Sequence, residues 1–437
     1  MIIHRYSDET VRRDIRGVRV SAEEILYLTA LVLWIIQIYI GKTIFADFYG
    51  GKLLTAIRYF WMLIFAVKIL MSETSMRIRV MITLALLCAV FIVVQRHINT
   101  GMPLIQMVLI IYGAKDVSFR RICKVMLWTC VIMWLIPVLV DKLGIFSMPR
   151  QHELKRDREF LNFNYVSFAA IHFNNIVFCA LYAYTDPDTL GRGNHLAQKR
   201  EVSWIALAFL TIAELWIYLV TDTMLPLLTI FIFLFLYVAA VKLRFPILRG
   251  NRFDRAAAVA VFPVFAYLTY WMATHYNKKK TIWVRLDKFS HSRVSLAGRA
   301  IKQYGIHLFG TQIVENTDET RGTYFYVDSG YIKTLVMYGA IVFAVVLIMY
   351  MFMTYAAVIE HDQVLAIWLV TIAIYSIYNN NLLSPAENGS VLALCYCMQL
   401  HSWHKKKKRM RAALMSSPPA GTKRRDNIES AVQSAES

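Results

Sequence analysis

Residues 224–241 read MLPLLTIFIFLFLYVAAV, a run without a single charged residue. A helix that crosses a bilayer needs about 20 mostly apolar residues, because the hydrocarbon core is about 30 Å thick and a helix rises about 1.5 Å per residue. Runs of the same kind recur on both sides of this one, along most of the chain. The sequence therefore predicts a helical membrane protein with many spans.

Ten runs have the length and composition of a span, and two further runs are weaker. The ten are 25–45, 53–71, 78–95, 122–140, 161–184, 203–220, 224–241, 256–274, 332–357 and 364–383. The weaker ones are 102–114, which is short enough to be a re-entrant piece, and 390–403. We expect an all-α fold with about 12 transmembrane helices, with 10 as the lower count.

The composition excludes an ordinary soluble protein. Hydrophobic residues make up 57% of the 437 residues and charged residues only 18%, against about 25% charged in soluble proteins. The net charge of +19 is explained by cytoplasmic loops, which carry an excess of Lys and Arg in membrane proteins. We therefore expect no nucleic-acid partner. The cysteines lie in or beside apolar runs, which predicts buried thiols and neither a disulfide framework nor a zinc site.

Both chain ends are basic, which predicts that both are cytoplasmic. Residues 1–20 form a polar leader without the features of a cleavable signal, and residues 404–437 begin with HKKKKR and continue as a tail of disordered composition. The transmembrane domain between them is 21–403. Two ends on the same side require an even number of spans, which agrees with twelve.

Two loops on the predicted outer face, 142–160 and 276–330, are rich in Lys and Arg. Long loops cross the membrane regardless of charge, so the topology is kept. The cations have two interpretations: a solvated or headgroup-facing surface, or a site for an anionic lipid-linked substrate, since Arg binds phosphate through two nitrogens. Within the second loop we expect a short helix capped by Ser290 or Ser292 and closed by Gly305. Its Arg293 and Arg299 are about 120° apart.

This loop resembles the late external loop of Wzy-type polysaccharide polymerases, which are relatives of the O-antigen ligases. The resemblance is carried by an ordered series of short motifs: Ser292–Arg293, Gly298–Arg299, Leu308–Phe309–Gly310, Asp328-x-x-Tyr331 and Tyr338–Gly339. The earlier stretch Arg158-x-x-Leu161-x-Phe163 resembles a segment that opens a middle span in the same families, except that Asn162 stands in place of the usual glycine. These matches cover about 60 residues, in addition to the twelve-span layout.

The resemblance implies a glycosyltransferase that joins lipid-linked oligosaccharide repeat units, with undecaprenyl pyrophosphate as the leaving group. It implies catalytic roles for Arg293 and Arg299, opposite the pyrophosphate, and for Asp328 as the base or the group that orients the acceptor. Further substrate-binding residues would be Arg158, Arg285, His307 and Tyr331. We expect a metal-independent reaction without a cofactor, in the bacterial plasma membrane. The partners would be the lipid-linked oligosaccharide and membrane lipid, and also a flippase and a chain-length regulator.

Each of these residues also has a structural interpretation. The two loop arginines would pair with Glu315, Asp318 or Glu319, and Asp328 would cap the helix that follows it. Tyr331 would be an interfacial anchor, and His307 is an alternative base. The polar clusters within predicted spans, His172 with Asn174 and Asn175, and Asn379 to Asn381, would either form interhelical hydrogen bonds or line a groove for glycan.

Two other classes of protein compete with the polymerase. A polysaccharide or lipid flippase, or another transporter, fits twelve spans equally well, but residues 20–210 and 220–403 show no repetition of the kind that many transporters have. A long external loop rich in Arg is also unusual in transporters. A ligase-like glycan transferase would share the site and differ in its acceptor.

Overall fold

The protein's computed structural model describes residues 21–72, 102–146, 151–153, 156–185, 201–245, 247–248, 250–316 and 324–400. Before the last helical segment, the α-helices of these residues are, in chain order, α1 Ala22–Gly41, α2 Phe45–Met71, α3 Met102–Gly113, α4 Phe119–Lys142, α5 Phe168–Tyr184, α6 Trp204–Thr221, α7 Met224–Tyr237, α8 Arg252–His275, α9 Thr281–Phe289, α10 Arg293–Tyr304, α11 Gly330–Lys333, α12 Gly339–Ile359 and α13 Gln363–Tyr375. A short antiparallel pair of strands, β1 Gln151–Glu153 and β2 Arg156–Arg158, lies between α4 and α5.

Two of the helices continue through a turn of π-helix. α7 runs on through Val238–Lys242, and α11 runs through Thr334–Tyr338 into α12. A turn of 3₁₀ helix, Gly389–Ala393, begins the last described helical segment.

Seven helical stretches in the described residues are long and apolar enough to cross a membrane: Ala22–Gly41, Gly51–Met71, Phe119–Lys142, Trp204–Thr221, Met224–Lys242, Arg252–His275 and Gly330–Ile359. The prediction of a helical membrane protein with many spans is thus confirmed, whereas the count of twelve is not shown. Four further apolar helices are shorter, namely Leu104–Gly113, Phe168–Tyr184, Gln363–Tyr375 and Gly389–Leu400. The predicted span 78–95, the leader and the tail lie outside the described residues.

Two predicted spans are shorter than their apolar runs. The run 161–184 becomes helical only at Phe168, because Leu161 and Asn162 have φ of 51° and 61°, in the left-handed region that a right-handed helix excludes. The run 364–383 stops being helical at Tyr375. There the Ser376 hydroxyl donates to the Ile372 carbonyl and to Asn381, and the chain continues in turns.

The core of the molecule surrounds α13. Leu365, Trp368 and Ile372 of this helix are fully buried, and α13 packs against α5, α7, α8 and α12. The outer helices α2 and α6 instead expose large apolar side chains such as Leu63 and Ile205. An apolar surface of this kind is stable in contact with lipid, so the pattern of burial agrees with a protein embedded in a membrane.

The loop after α8 folds back onto the spans. The predicted helix is present as α10 and ends at Gly305, but its first turn is capped from outside: Asp287 accepts from the Ser295 amide at 2.9 Å. Gly298 brings α10 against α8, where a Cβ atom would lie 2.5 Å from the Ala273 carbonyl oxygen. This close contact fixes the position of α10, and therefore of Arg293, relative to the membrane helices.

Candidate functional site

Arg293 and Asp328, two of the residues predicted to be catalytic, form an ion pair. Arg293 begins α10, and Asp328 lies immediately before α11. The Arg293 Nε and the Asp328 Oδ2 are 3.3 Å apart, and both side chains are more than four-fifths buried. Arg293 also donates to the main-chain oxygen of Tyr378, beyond the end of α13. The folded loop thus brings together two residues that are far apart in the sequence.

Asp328 is not the cap of α11. The N-cap is Ser329, whose hydroxyl accepts from the Ile332 amide at 3.4 Å, so the interpretation of Asp328 as a helix cap is wrong. Burial raises the pKa of the Asp328 carboxyl above its ordinary value, against the opposing effect of the Arg293 and Lys333 cations. A carboxylate with a raised pKa is a stronger base than an exposed one.

This ion pair lies in the wall of a cavity of about 640 Å³. The polar lining residues come mainly from the loops, with Gln106 on α3 as an exception: Lys42, Gln106, Asn164, Tyr165, Ser167, Arg293, Tyr324, Tyr326, Asp328, Lys333, Tyr338, Asn379, Asn380, Ser384 and Glu387. Another part of the wall is apolar and comes mainly from the membrane helices: Trp34, Ile38, Ile110, Phe168, Ile171, Met337 and Leu383. A cavity with these two walls suits an amphipathic ligand, with its polar part at the loops.

Two more cations of the cavity wall are held by carboxylates. Lys42, after the end of α1, pairs with Glu387, and its ammonium lies 4.6 Å from the centre of the Phe168 ring. Lys333 pairs with both oxygens of Glu315, at 2.8 and 2.9 Å. An anionic ligand that binds one of these cations would therefore compete with a carboxylate.

The pairing of Lys333 with Glu315 corrects an expectation from the sequence. Glu315 was a proposed partner of Arg293 and Arg299, whereas in the structure it binds Lys333 and also accepts from the Val327 amide. The other two proposed partners, Asp318 and Glu319, lie outside the described residues.

Three tyrosines of the wall keep their protons. Burial raises the pKa of Tyr165, Tyr324 and Tyr326 above the ordinary value, and the charge of Asp328 acts in the same direction on all three. The neutral hydroxyls of Tyr165 and Tyr324 hydrogen-bond each other, and the three rings can pack against the faces of sugars.

Arg299 and Arg158 lie apart from the cavity wall as far as the described residues define it. Arg299 is exposed on α10, with its guanidinium 5.0 Å from the centre of the Phe325 ring and a hydrogen bond of 3.4 Å to the Tyr324 carbonyl. It therefore holds the segment that carries Tyr324. Arg158 lies 4.0 Å from Asp222, and its charge lowers the pKa of Tyr165, a residue of the polar wall.

The remaining predicted binding residues point elsewhere. Arg285 is exposed on α9. His307 is exposed and its ring bonds the Tyr304 carbonyl at 3.0 Å. Tyr331 is fully buried, and its hydroxyl donates to the Ala373 carbonyl at 2.8 Å, so it is neither an interfacial anchor nor accessible to a ligand. In the described residues, none of the three belongs to the cavity wall.

The two polar clusters of the spans have different roles. Asn174 and Asn175 form interhelical contacts, donating to the carbonyls of Pro226 and Ala386 at 3.0 Å each. Asn379 and Asn380 line the cavity instead. Hydrogen bonding inside the bundle is thus found for Asn174 and Asn175, whereas a groove for glycan at Asn379 and Asn380 stays a prediction.

Sequence reasoning missed Lys42, Lys333 and Glu387, and it assigned Glu315 to the loop arginines instead of Lys333. A signal was available for two of them: Lys42 and Lys333 are charges inside otherwise apolar runs, and such charges commonly mark functional sites. The carboxylates gave no such signal.

Some residues of the quoted motifs have a structural role near the cavity, because their backbone conformation allows a close contact or a turn. Gly310 and Gly339 have φ of +74° and +92° and lie backbone to backbone: a Cβ atom on Gly339 would be 2.3 Å from the Gly310 nitrogen. Asn162 adopts the left-handed conformation that glycine favours, and it tolerates this better than most residues. Its side chain donates to the Phe146 carbonyl at 2.7 Å. Position 162 thus has a backbone conformation that glycine and asparagine adopt more readily than other residues.

The fold and the cavity define a helical membrane protein with many spans and an amphipathic cavity under a folded loop. Comparison with protein-family models, with curated proteins and with solved structures finds no match.

Proposed function

We propose that this protein polymerises lipid-linked oligosaccharide repeat units into a surface polysaccharide. The observation that carries the proposal is the Arg293–Asp328 ion pair, in the polar wall of a cavity whose other wall is apolar. A repeat unit on undecaprenyl pyrophosphate has a glycan, an anionic diphosphate and a lipid. Each of these parts has a counterpart in the cavity wall.

The reaction is a glycosyl transfer. An acceptor hydroxyl oxygen forms a bond to the anomeric carbon of the donor chain, the bond from that carbon to the diphosphate oxygen breaks, and the diphosphate leaves with the electron pair. Asp328 takes the hydroxyl proton and later releases it to solvent. Arg293 stabilises the charge that develops on the leaving diphosphate, an effect worth about a hundredfold in rate or more.

The resting ion pair gives an order to these steps. In the resting pair the Arg293 cation lies 3.3 Å from the Asp328 carboxylate and lowers its pKa, which makes it a weaker base. When the diphosphate binds Arg293, the Asp328 carboxylate is released toward the acceptor hydroxyl. Base activation would thus depend on the donor being bound, which protects the donor from hydrolysis when the site is partly filled.

The finer features of the proposal rest on the charge pattern of the sequence and on the resemblance to the polymerases. We place the protein in a bacterial plasma membrane with twelve spans, both chain ends in the cytoplasm and the cavity facing outward, with a flippase and a chain-length regulator as partners. Arg293 and Asp328 are the catalytic residues. Arg299 is a positioning residue that acts through Tyr324 and Phe325.

Replacing Arg293 by Ala tests the proposal. The expected result is the loss of long polymer, measured as glycan chain length on gels at matched amounts of membrane-inserted protein. Lys should restore activity only in part because it lacks the two-nitrogen contact to phosphate. Arg299→Ala should shorten the chains less severely.

Arg252→Ala is the matched control, because Arg252 is exposed at the start of α8, outside the cavity wall of the described residues. It should leave chain length unchanged. Long polymer of normal length from Arg293→Ala would contradict the proposed site.

A further inference from the structure

Helix α9 exposes three apolar side chains, Ile282, Val284 and Phe289, together with several cations. Ile282 is 74% exposed and Phe289 47% exposed. They are seven residues apart, so they lie almost on the same line along the helix. Arg285 lies between them on this side, and Lys288 flanks it; both are exposed. In water, large apolar side chains exposed together in this way are unfavourable.

The segment leading into α9 adds three more exposed cations, Lys278, Lys279 and Lys280. The acidic residue of α9, Asp287, does not offset them, because it is buried and accepts a hydrogen bond from the Ser295 amide. The exposed surface from Lys278 to Phe289 is therefore cationic and apolar at once. We call these residues the α9 surface.

The position of α9 relative to the membrane is set by two tryptophans. Trp271 lies in the last turns of the span α8, and its ring is 5.5 Å from that of Trp283 on α9, centre to centre. Tryptophan is enriched where a span meets the headgroups. The contact ties α9 to the end of the span, at the level of the membrane surface.

We infer that the α9 surface binds the anionic headgroups of the membrane, with Ile282 and Phe289 inserted at the boundary between headgroups and acyl chains. Helices that lie in the plane of the membrane surface have apolar residues on one face and Lys and Arg beside them. The long side chains of these cations allow the charges to reach the lipid phosphates. This assigns Arg285 to phospholipid rather than to the substrate in the cavity. The inference is independent of the proposed reaction.

Spin labels on the full-length protein in nanodiscs test the insertion. Nitroxides at Ile282→Cys and Phe289→Cys should collide with oxygen, which concentrates in acyl chains, more than with a water-soluble nickel complex. A label at Lys302→Cys, exposed on α10, should show the reverse. Labels at 282 and 289 that meet mainly the nickel complex would overturn the inference.

Native mass spectrometry tests the preference for anionic lipid. The variant with Gln at Lys278, Lys279 and Lys280 should bind phosphatidylglycerol more weakly, by about fivefold for each charge removed, while binding of phosphatidylcholine is unchanged. Lys302→Gln is the matched control and should alter neither. Thermal unfolding verifies that the variants are folded. Equal phosphatidylglycerol binding by the triple variant would show that apolar insertion alone holds α9, which would overturn the role of the cations.

Discussion

At the scale of single residues, the protonation of Asp328 depends on its neighbours. Burial raises the pKa of this carboxyl, while Arg293 and Lys333 lower it and Glu315 raises it. As a base it must be ionised, so the rate should fall as the pH falls through its pKa, at a higher pH than for an ordinary aspartate. The environment of the carboxyl therefore sets the acidic side of the pH–rate profile.

Lys333→Gln should shift this acidic limb to higher pH. The change removes a cation that lowers the pKa of Asp328, and it frees the Glu315 charge, which raises that pKa further. Both effects raise the pKa of the Asp328 carboxyl.

The measurement is the rate of polymer formation against pH by the purified protein in lipid nanodiscs. Lys302→Gln removes an equal charge outside the cavity wall of the described residues and should leave the limb in place. An unshifted limb in Lys333→Gln would argue that another group is the base.

The Lys42–Glu387 pair gives a prediction about stability. Glu387→Gln leaves the Lys42 cation in a largely buried place without its carboxylate, which should cost about 3 kcal/mol. Combining Lys42→Met with Glu387→Leu removes both charges and should recover most of the loss. Thermal unfolding in detergent measures both effects.

The comparison for this pair is Glu159→Gln, at the more exposed pair with Lys142. It should cost less than about 1 kcal/mol, because water already screens the charges. A large effect at Glu159 with none at Glu387 would contradict the assignment of the Lys42 pair.

The sequence could predict some of these residues but not others. Arg293 and Asp328 were found because their motifs occur in a recognisable order within one loop. The contact between Lys42 and Glu387 joins residues 345 apart. A cation at the end of a span is equally well explained by a side chain that reaches the headgroups. Only the fold shows that Lys42 lines the cavity and pairs with Glu387 instead of reaching the headgroups.

At the scale of structural elements, the glycines of the loop decide the position of α12. A Cβ atom on Gly310 would lie 2.1 Å from the Met337 carbonyl oxygen, in addition to the positive φ. Gly310→Ala should therefore destabilise the protein by roughly 2 kcal/mol or more, through strain and overlap together.

Gly144→Ala separates backbone strain from overlap of the added Cβ atom with its neighbours. Gly144 has φ +68° but no atom within 4 Å of the position of a Cβ, so this change adds backbone strain alone. It should cost about 1 kcal/mol. Equal losses of melting temperature in the two variants would show that the contact between Gly310 and Met337 does not matter.

The lengths of the helices show where apolar composition alone predicts a transmembrane helix incorrectly. Seven long runs were predicted to be spans and have helices of the required length. The runs 161–184 and 364–383 fail in part, since residues such as Phe163, Leu382 and Leu383 are apolar and buried without being helical. Irregular backbone at this depth is tolerated where it lines a cavity or is buried in protein. Hydropathy cannot distinguish such a segment from a helix.

At the scale of the whole molecule, the cavity explains why the protein needs both a bundle of helices and a folded loop. The helices supply the apolar wall, and the loop supplies Arg293, Tyr324 and Asp328. A transporter must move such a ligand from one side to the other, whereas a transferase needs only to hold it while a bond changes. The two classes therefore differ in where the lipid-linked unit is found when the protein is absent.

Deleting the gene should leave single repeat units on their lipid carrier at the outer face and no long chains, because a polymerase acts after translocation.

Asp328→Asn should give the same result with normal insertion. Asn keeps the size of the side chain and an acceptor for Arg293, but it cannot take a proton, which should lower the rate by about 10²–10⁴-fold. Ser329→Ala is the control, because it removes the adjacent cap at a cost of about 1 kcal/mol and should retain long chains. The measurements are chain length and labelling of the units in intact cells by an impermeant reagent. Units trapped on the inner face of the deletion strain would identify a flippase, and normal chains from Asp328→Asn would exclude this carboxylate as the base.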